Sequence, residues 1–172
     1  MSIFEVLARH QREVAEAISE VRSAIASDQR AHAEALFQRA AIMLLAGLRA
    51  EHAVVYPRLA DVAGLLTEVA QARREHDEIE QTLDRMRIGG LGPDAWDTEL
   101  DRLARQVSQH ADLEELSMFP IAALALSPRE LATIDADYAA YLERARSVAG
   151  ASITYDPATE DAPPRIVRFD LS

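Results

Sequence analysis

The sequence predicts an all-α protein, and three observations support this prediction. Apolar residues recur at intervals of three and four through most of residues 3–149, which is the spacing of amphipathic helices. The glycine-rich run Gly89–Pro93 is a stop and turn signal between two such segments. The segment Ser127-Pro128-Arg129-Glu130 has the form of a capping box with proline at the first helical position.

Five helices follow in order along the chain, and an irregular tail comes after them. Pro57 lies inside the second helical pattern and is expected to kink or end that helix. Residues 1–149 are predicted to form one helical domain, and residues 150–172 a tail that is irregular or docks as an extended segment. The predicted helices are Ile3–Ile25, Gln29–Leu59, Gly64–Ile88, Pro93–Ala125 and Pro128–Ala149, with Gly150 ending the last.

Composition excludes several classes of function. The chain of 172 residues has 18 basic and 29 acidic residues and a net charge of −11, which argues against nucleic acid or an anionic membrane as a partner. The sequence has no cysteine, so a metal ion would be held by nitrogen and oxygen ligands. The start of the chain does not read as a signal peptide, and we expect a cytoplasmic protein.

A histidine and a glutamate in the fourth predicted helix point to a metal ion. His110 and Glu114 are four residues apart and therefore share a helix face. Burying a charge is costly unless it is paired or coordinates a metal. The nearest basic residues in sequence, Arg102 and Arg105, lie one to two turns earlier, so a metal ion is the simplest partner. The apolar stripe that indicates an inward face consists of Leu103, Val107, Leu113, Met118 and Ile121.

An earlier stretch of the chain repeats this motif in part. Both copies end in an aromatic residue and a proline, Tyr56-Pro57 and Phe119-Pro120. When the two endings are aligned, Glu51 stands opposite the glutamate of the motif and Gly47 opposite its histidine. The earlier copy therefore keeps the carboxylate and lacks the imidazole.

Together these residues resemble the hemerythrin-like (HHE cation-binding) domain over roughly residues 3–149. That family has a lone histidine on helices one and three and a His-x-x-x-Glu motif on helices two and four. The resemblance implies an up-down four-helix bundle, to which this chain adds a fifth helix and the tail. It implies metal ligation by His10, Glu51, His76, His110 and Glu114.

Gly47 departs from the family pattern. The ion that the family would hold through His10 and position 47 keeps one nitrogen ligand here. Three alternatives follow. Water or substrate takes the empty coordination position, His52 or Tyr56 becomes a ligand there, or only the other ion binds well. His52 lies on an apolar line of its helix, so it is expected to face inward as a ligand or as a hydrogen-bond donor to a bridging carboxylate. Glu115 is a weaker candidate ligand.

The resemblance implies a non-haem iron protein, with two iron ions per chain and an oxo bridge as one arrangement. Manganese and zinc stay open as alternatives. The predicted function is binding of, or reaction with, dioxygen or peroxide, including oxidase, oxygenase or peroxidase-like activity, at a site with one open coordination position. The alternatives are an oxygen, iron or redox sensor that acts through a partner, a diiron oxidase on a small organic substrate, and a bundle that has lost its metal. Homodimer formation through the fifth helix also stays open.

Overall fold

The structure is a computed structural model that describes residues 2–88 and 90–151, and all secondary structure in these residues is helical. This confirms the all-α prediction. Two π-helical turns, Glu51–Val55 and Glu114–Met118, join consecutive α-helices, so residues 30–60 and 93–125 each form one continuous helix. The α-helices are α1 (Ile3–Ala26), α2 (Arg30–Ala50), α3 (Tyr56–Ala60), α4 (Leu66–Ile88), α5 (Pro93–Leu113), α6 (Phe119–Ala125) and α7 (Pro128–Ala151).

The structure differs from the predictions at Pro57, Gly64 and Gly150, and the other predicted helix ends lie within one residue of the observed ones. Pro57 does not end the helix, because the π-helical turn directly before it continues into α3. α4 begins two residues later than predicted, since Gly64 has a φ of +89° and lies in a left-handed turn outside the helix. α7 continues past Gly150 to Ala151. The remaining tail, 152–172, and the extended segment predicted within it lie outside the described residues.

The second π-helical turn also changes which residues of the predicted stripe face the core. Leu103, Val107 and Met118 are buried, as predicted, but Ile121 is 42% exposed. A π-helical turn contains more residues than an α-helical turn, so residues after it are rotated relative to the α-helical pattern. The prediction for Ile121 is therefore wrong, and the register change explains why.

Two apolar clusters form the core, and they use opposite ends of successive helices. The first cluster, defined here as the capping cluster, consists of residues from the start of α1, the end of the α2–α3 helix, the start of α4 and the end of the α5–α6 helix. The second, the distal cluster, takes the rest of α1, α2 and α4 together with much of α5. His10, Glu51, His76 and His110 lie on four different helices where one cluster gives way to the other. A buried polar layer therefore separates the two apolar clusters.

Helix packing encloses this layer. α1 packs most extensively on α2, and α4 on α5. α7 begins at the predicted capping box, in which the Ser127 hydroxyl and backbone N–H both donate to Glu130. It buries Ile134 and Tyr138 against the capping cluster and also contacts the first π-helical turn. None of the described helices combines the length and the apolar composition that crossing a bilayer requires.

Candidate metal centre

The first π-helical turn sets the direction of two side chains of the polar layer. The backbone N–H of Tyr56 donates to the carbonyl of Glu51, five residues earlier. Residues five apart therefore share a face in this turn, and both Glu51 and Tyr56 are buried. Pro57 has no N–H to donate and its ring clashes with the carbonyl four residues back, so a widened turn before it is a favourable arrangement. The turn at Glu114–Met118, ahead of Pro120, repeats the same construction.

Three ligand atoms from three helices converge at the centre of the layer. Oε2 of Glu51 and Nε2 of both His76 and His110 all lie within 4.8 Å of one another. The two imidazole nitrogens are 3.0 Å apart, and Glu51 Oε2 lies 3.2 Å from that of His76 and 3.9 Å from that of His110. All three residues are almost fully buried. This arrangement brings together three of the five predicted ligands.

Tyr56 and Glu114 adjoin this group directly. The Tyr56 hydroxyl donates to Glu114 Oε1 at 2.7 Å and lies 2.8 Å from His76 Nε2 and 3.3 Å from His110 Nε2. Glu114 Oε1 is 3.7 Å from His110 Nε2. Both side chains are inaccessible to solvent. The hydroxyl and the carboxylate therefore extend the ring of oxygen and nitrogen donors to five residues.

The electrostatics of the layer are those of closely opposed charges in a buried space. Burial alone would raise the pKa of Glu51, but the imidazoles of His110 and His76 outweigh it and lower the pKa to about 2. Burial and the negative charge of Glu51 raise the pKa of Glu114 to about 8. Burial lowers the pKa of His76, whereas for His110 the carboxylates of Glu114 and Glu51 outweigh burial and raise the pKa to about 10. Bound protons therefore offset the negative charge of the carboxylates, unless a metal cation offsets it instead.

The donor set fits a metal ion. Oε2 of Glu51 is buried and has no hydrogen-bond partner, which is an unusual cost for a carboxylate oxygen. Adjacent ligands of a single ion with bonds of about 2.1 Å lie about 3 to 3.5 Å apart, close to the separations found here. Imidazole and carboxylate donors without sulfur suit iron, manganese or zinc. The group therefore fits the cation that the sequence predicts.

Glu75 fixes the orientation of the His110 imidazole. The Nδ1 atom of His110 donates to Glu75 Oε2 at 3.0 Å, and this leaves Nε2 of the same ring facing Glu51 and His76. A carboxylate behind a ligating histidine selects the tautomer and strengthens the ligand. Glu75 is partly exposed and also lines a polar groove of about 230 Å³ between α4 and α5. It therefore connects the buried group with the protein surface.

His10 is buried in the polar layer but lies outside the group of converging ligand atoms. Its Nε2 lies 3.2 Å from the backbone carbonyl oxygen of Met43 on α2. The imidazole covers Gly47, where a Cβ atom would lie 2.7 Å from Cδ2 of His10 and closer still to its Nε2. The absence of a side chain at position 47 thus makes room for the histidine ring of α1.

The two weaker candidates lie at the surface. His52 is exposed, so the prediction that its side chain faces inward is wrong. The prediction assumes α-helical spacing, whereas the π-helical turn starts at Glu51 and turns the next residue towards solvent. Glu115, in the second π-helical turn, is exposed as well.

Three residues contribute more than the sequence indicates. The sequence offers Tyr56 only as an alternative ligand, although its five-residue distance from Glu51 and the proline after it are a readable signal for a π-helical turn. Gln11 donates to Glu114 Oε2 at 2.5 Å, and its position beside His10 on α1 gives no hint of that contact. Glu75 belongs by its sequence to a solvated charged face, and only its place directly before His76 draws attention to it.

Comparison with known proteins supports a cation site in this chain. The model of the family described as hemerythrin HHE cation binding domain matches residues 2–122 of the chain. The matched range includes the three residues that carry the converging ligand atoms and also Tyr56 and Glu114, and it ends before α7. No curated protein and no solved structure matches the chain.

The hydrogen bond from His110 to Glu75 predicts a loss of metal affinity when the carboxylate is removed. In Glu75→Ala, the Kd for Zn²⁺ measured by calorimetric titration should rise about 10-fold to 100-fold, because Nε2 of His110 is no longer held towards the ligand group. Glu75→Gln keeps an acceptor oxygen and should lose less. Glu78→Ala is the matched control, since Glu78 is exposed and lines the same groove. Equal Kd values for the two alanine variants would contradict this role.

The contact between His10 and Gly47 predicts coupled effects on stability. Gly47→Ala should destabilise the chain, because strain of about 1–3 kcal/mol from the added methyl group exceeds a helix-propensity gain of about 1 kcal/mol. In a His10→Ala background the methyl group meets no ring, and the same change should be stabilising. Denaturant unfolding of the four proteins gives the coupling energy. If Gly47→Ala has the same effect in both backgrounds, the two residues are not in contact.

Proposed function

We propose that this chain, which belongs to the hemerythrin HHE cation-binding family, is an iron protein whose bound iron reacts with dioxygen or peroxide. Glu51, His76 and His110 would hold the iron, with Glu114 and Tyr56 as further ligands or hydrogen-bond partners. The observation that carries the proposal is the convergence of three buried ligand atoms within 4.8 Å inside an otherwise apolar core. Iron bound there would supply redox chemistry with a small oxidant.

Burial of the site favours a small reactant such as dioxygen or hydrogen peroxide over an organic substrate. The ligand residues are at most a few per cent exposed. The cavity that reaches them has a volume of about 20 Å³, which is close to the space that a single water molecule needs. Its walls include Val14, Leu44 and Ile79, and such apolar walls suit an uncharged ligand. An oxidase acting on an organic substrate would require the helices to separate.

Tyr56 and Glu114 could handle protons in such a reaction. The hydroxyl of Tyr56 donates to Glu114 and contacts both imidazoles, so a proton can move among four side chains without water. Burial, followed by the negative charges of Glu114 and Glu51, raises the pKa of Tyr56 well above its usual value. The phenol thus keeps its proton unless a cation lies beside it.

We also propose that the chain forms an up-down four-helix bundle to which α7 is added. The capping cluster draws on the start of α1, the end of the α2–α3 helix, the start of α4 and the α6 end of its helix. This alternation is expected when successive helices run antiparallel. α7 packs on α2 and on the first π-helical turn, outside the residues that match the family.

A metal-dependent sensor is the second candidate, and one contact favours it. α7 packs directly on the π-helical turn that carries Glu51 and joins Tyr56. A change in ligation could therefore alter the docking of α7 and the surface it offers to a partner. If so, hydrogen exchange in α7 should slow on addition of Fe²⁺, and more than exchange in α1. Uniform protection of both helices would argue against the sensor.

The proposed reactivity can be tested by visible absorption. Chain stripped with a chelator is loaded with Fe²⁺ under argon and then exposed to air or to hydrogen peroxide, and a new absorption band is expected. His76→Ala should lose iron and the band, because it removes one of the three converging ligands. His32→Ala, at an exposed position on α2, is the matched control and should keep both. Iron that binds with no spectral change under either oxidant would contradict the proposed reactivity.

A further inference from the structure

The resemblance to the family implies a second ion, and the residues around its expected place differ in this chain. The family pattern assigns that ion to the lone histidine of the first helix and to the histidine position that Gly47 takes here. Three features of this region bear on whether an ion could be held there: the position of His10, the partner of the outer oxygen of Glu114, and the size of the space between them.

The Nε2 atom of His10 is directed at the backbone of α2. It lies 3.2 Å from the Met43 carbonyl oxygen, so this nitrogen carries the hydrogen and donates. The ring is seated on Gly47, and a Cβ atom at that position would lie 2.7 Å from Cδ2, too close for any other residue type to fit below the ring without movement. The missing histidine and the position of His10 are therefore two aspects of one packing arrangement.

Gln11 takes the oxygen with which Glu114 could bridge to a second ion. A bridging carboxylate gives one oxygen to each ion. Oε1 of Glu114 faces Tyr56 and His110, whereas Oε2 accepts a hydrogen bond from the side-chain amide of Gln11. Both residues are buried, so water does not compete for this oxygen. The neutral amide thus satisfies, from within the chain, the oxygen that points away from the converging ligands.

The remaining space is small and mostly apolar. The cavity of about 20 Å³ is lined by His10, Gln11, Gly47, Glu51 and His110, together with five aliphatic side chains. Oε1 of Gln11 is buried without a hydrogen-bond partner. Glu51 is the only carboxylate among the residues that line this space, and its Oε2 already faces the imidazoles of His76 and His110, so a second cation here would have no carboxylate of its own.

We propose that this chain holds a single metal ion at Glu51, His76 and His110, and that the Gln11 amide stands in place of a second ion by binding Oε2 of Glu114. The inference rests on the proposed function, because it concerns the same ligand group. Gln11 is in this sense a residue that sets the metal stoichiometry.

Metal content separates one ion from two. Chelator-treated full-length chain is titrated with Fe²⁺ under argon, and in parallel with Zn²⁺, and metal per chain is measured by elemental analysis after gel filtration. One equivalent is expected for each metal. His10→Ala should also bind one equivalent with a Kd within about 2-fold of the wild type, since His10 is not a ligand of the single ion. A wild type with two equivalents, one of which is lost in His10→Ala, would overturn the proposal.

Substitution of Gln11 tests its role separately. Gln11→Glu places a second carboxylate against Glu114, and a cation between the two relieves their repulsion, so metal content should rise above one equivalent and towards two. Gln81→Glu adds the same charge at an exposed position on α4 and should stay at one. If Gln11→Glu also stays at one, the assignment to Gln11 is overturned. Circular dichroism spectra confirm that each variant is folded before its metal content is compared.

Failure of the proposed function gives a different result from failure of this inference. A wild type that binds no iron and no zinc overturns the iron site itself, and the single-ion proposal with it. A wild type that binds two ions keeps the iron site and overturns only the exclusion of the second ion. One equivalent that is lost in His76→Ala and kept in His10→Ala supports both.

Discussion

The structure depends on keeping two glutamates, two histidines and a tyrosine in a layer that water does not reach. Glu51 and Glu114 are almost fully inaccessible, and an isolated buried carboxylate is strongly unfavourable. The layer is tolerable because each charge has an opposite charge or a donor within about 4 Å. The apolar clusters on either side hold the helices close enough for these contacts and at the same time exclude the water that would weaken them.

The two π-helical turns bring the layer together. An α-helix places residues three and four apart on one face, which suffices for His110 and Glu114. It does not place Glu51 and Tyr56, five apart, on one face, and the widened turn does. Proline after the aromatic residue removes the N–H that would otherwise favour an ordinary α-helical turn. One short sequence pattern, carboxylate then aromatic-proline, thus determines two inward directions in each half of the chain.

The sequence was sufficient for the features that follow from α-helical spacing and insufficient for the rest. The positions of the long helices, and the burial of His10, Glu51, His76, His110 and Glu114, follow from apolar stripes. The inward orientation predicted for His52 and Ile121 failed where a π-helical turn replaces the α-helical one. The contact of Gln11 with Glu114 joins residues that are 103 positions apart, and no local pattern reports such a pair.

Gly47 reads, from sequence alone, as a simple loss of a ligand, but its surroundings indicate a more coordinated change. A glycine at this helix position lets the ring of His10 approach the α2 backbone. With His10 turned to Met43, the outer oxygen of Glu114 needs another partner, and the amide one residue further along α1 provides it. Restoring a histidine at position 47 would therefore not recreate a second site by itself, because His10 occupies that space and Gln11 holds the carboxylate. The set of metal ligands therefore depends on how His10, Gln11 and Gly47 pack together, and the residue type at any one of these positions does not determine it.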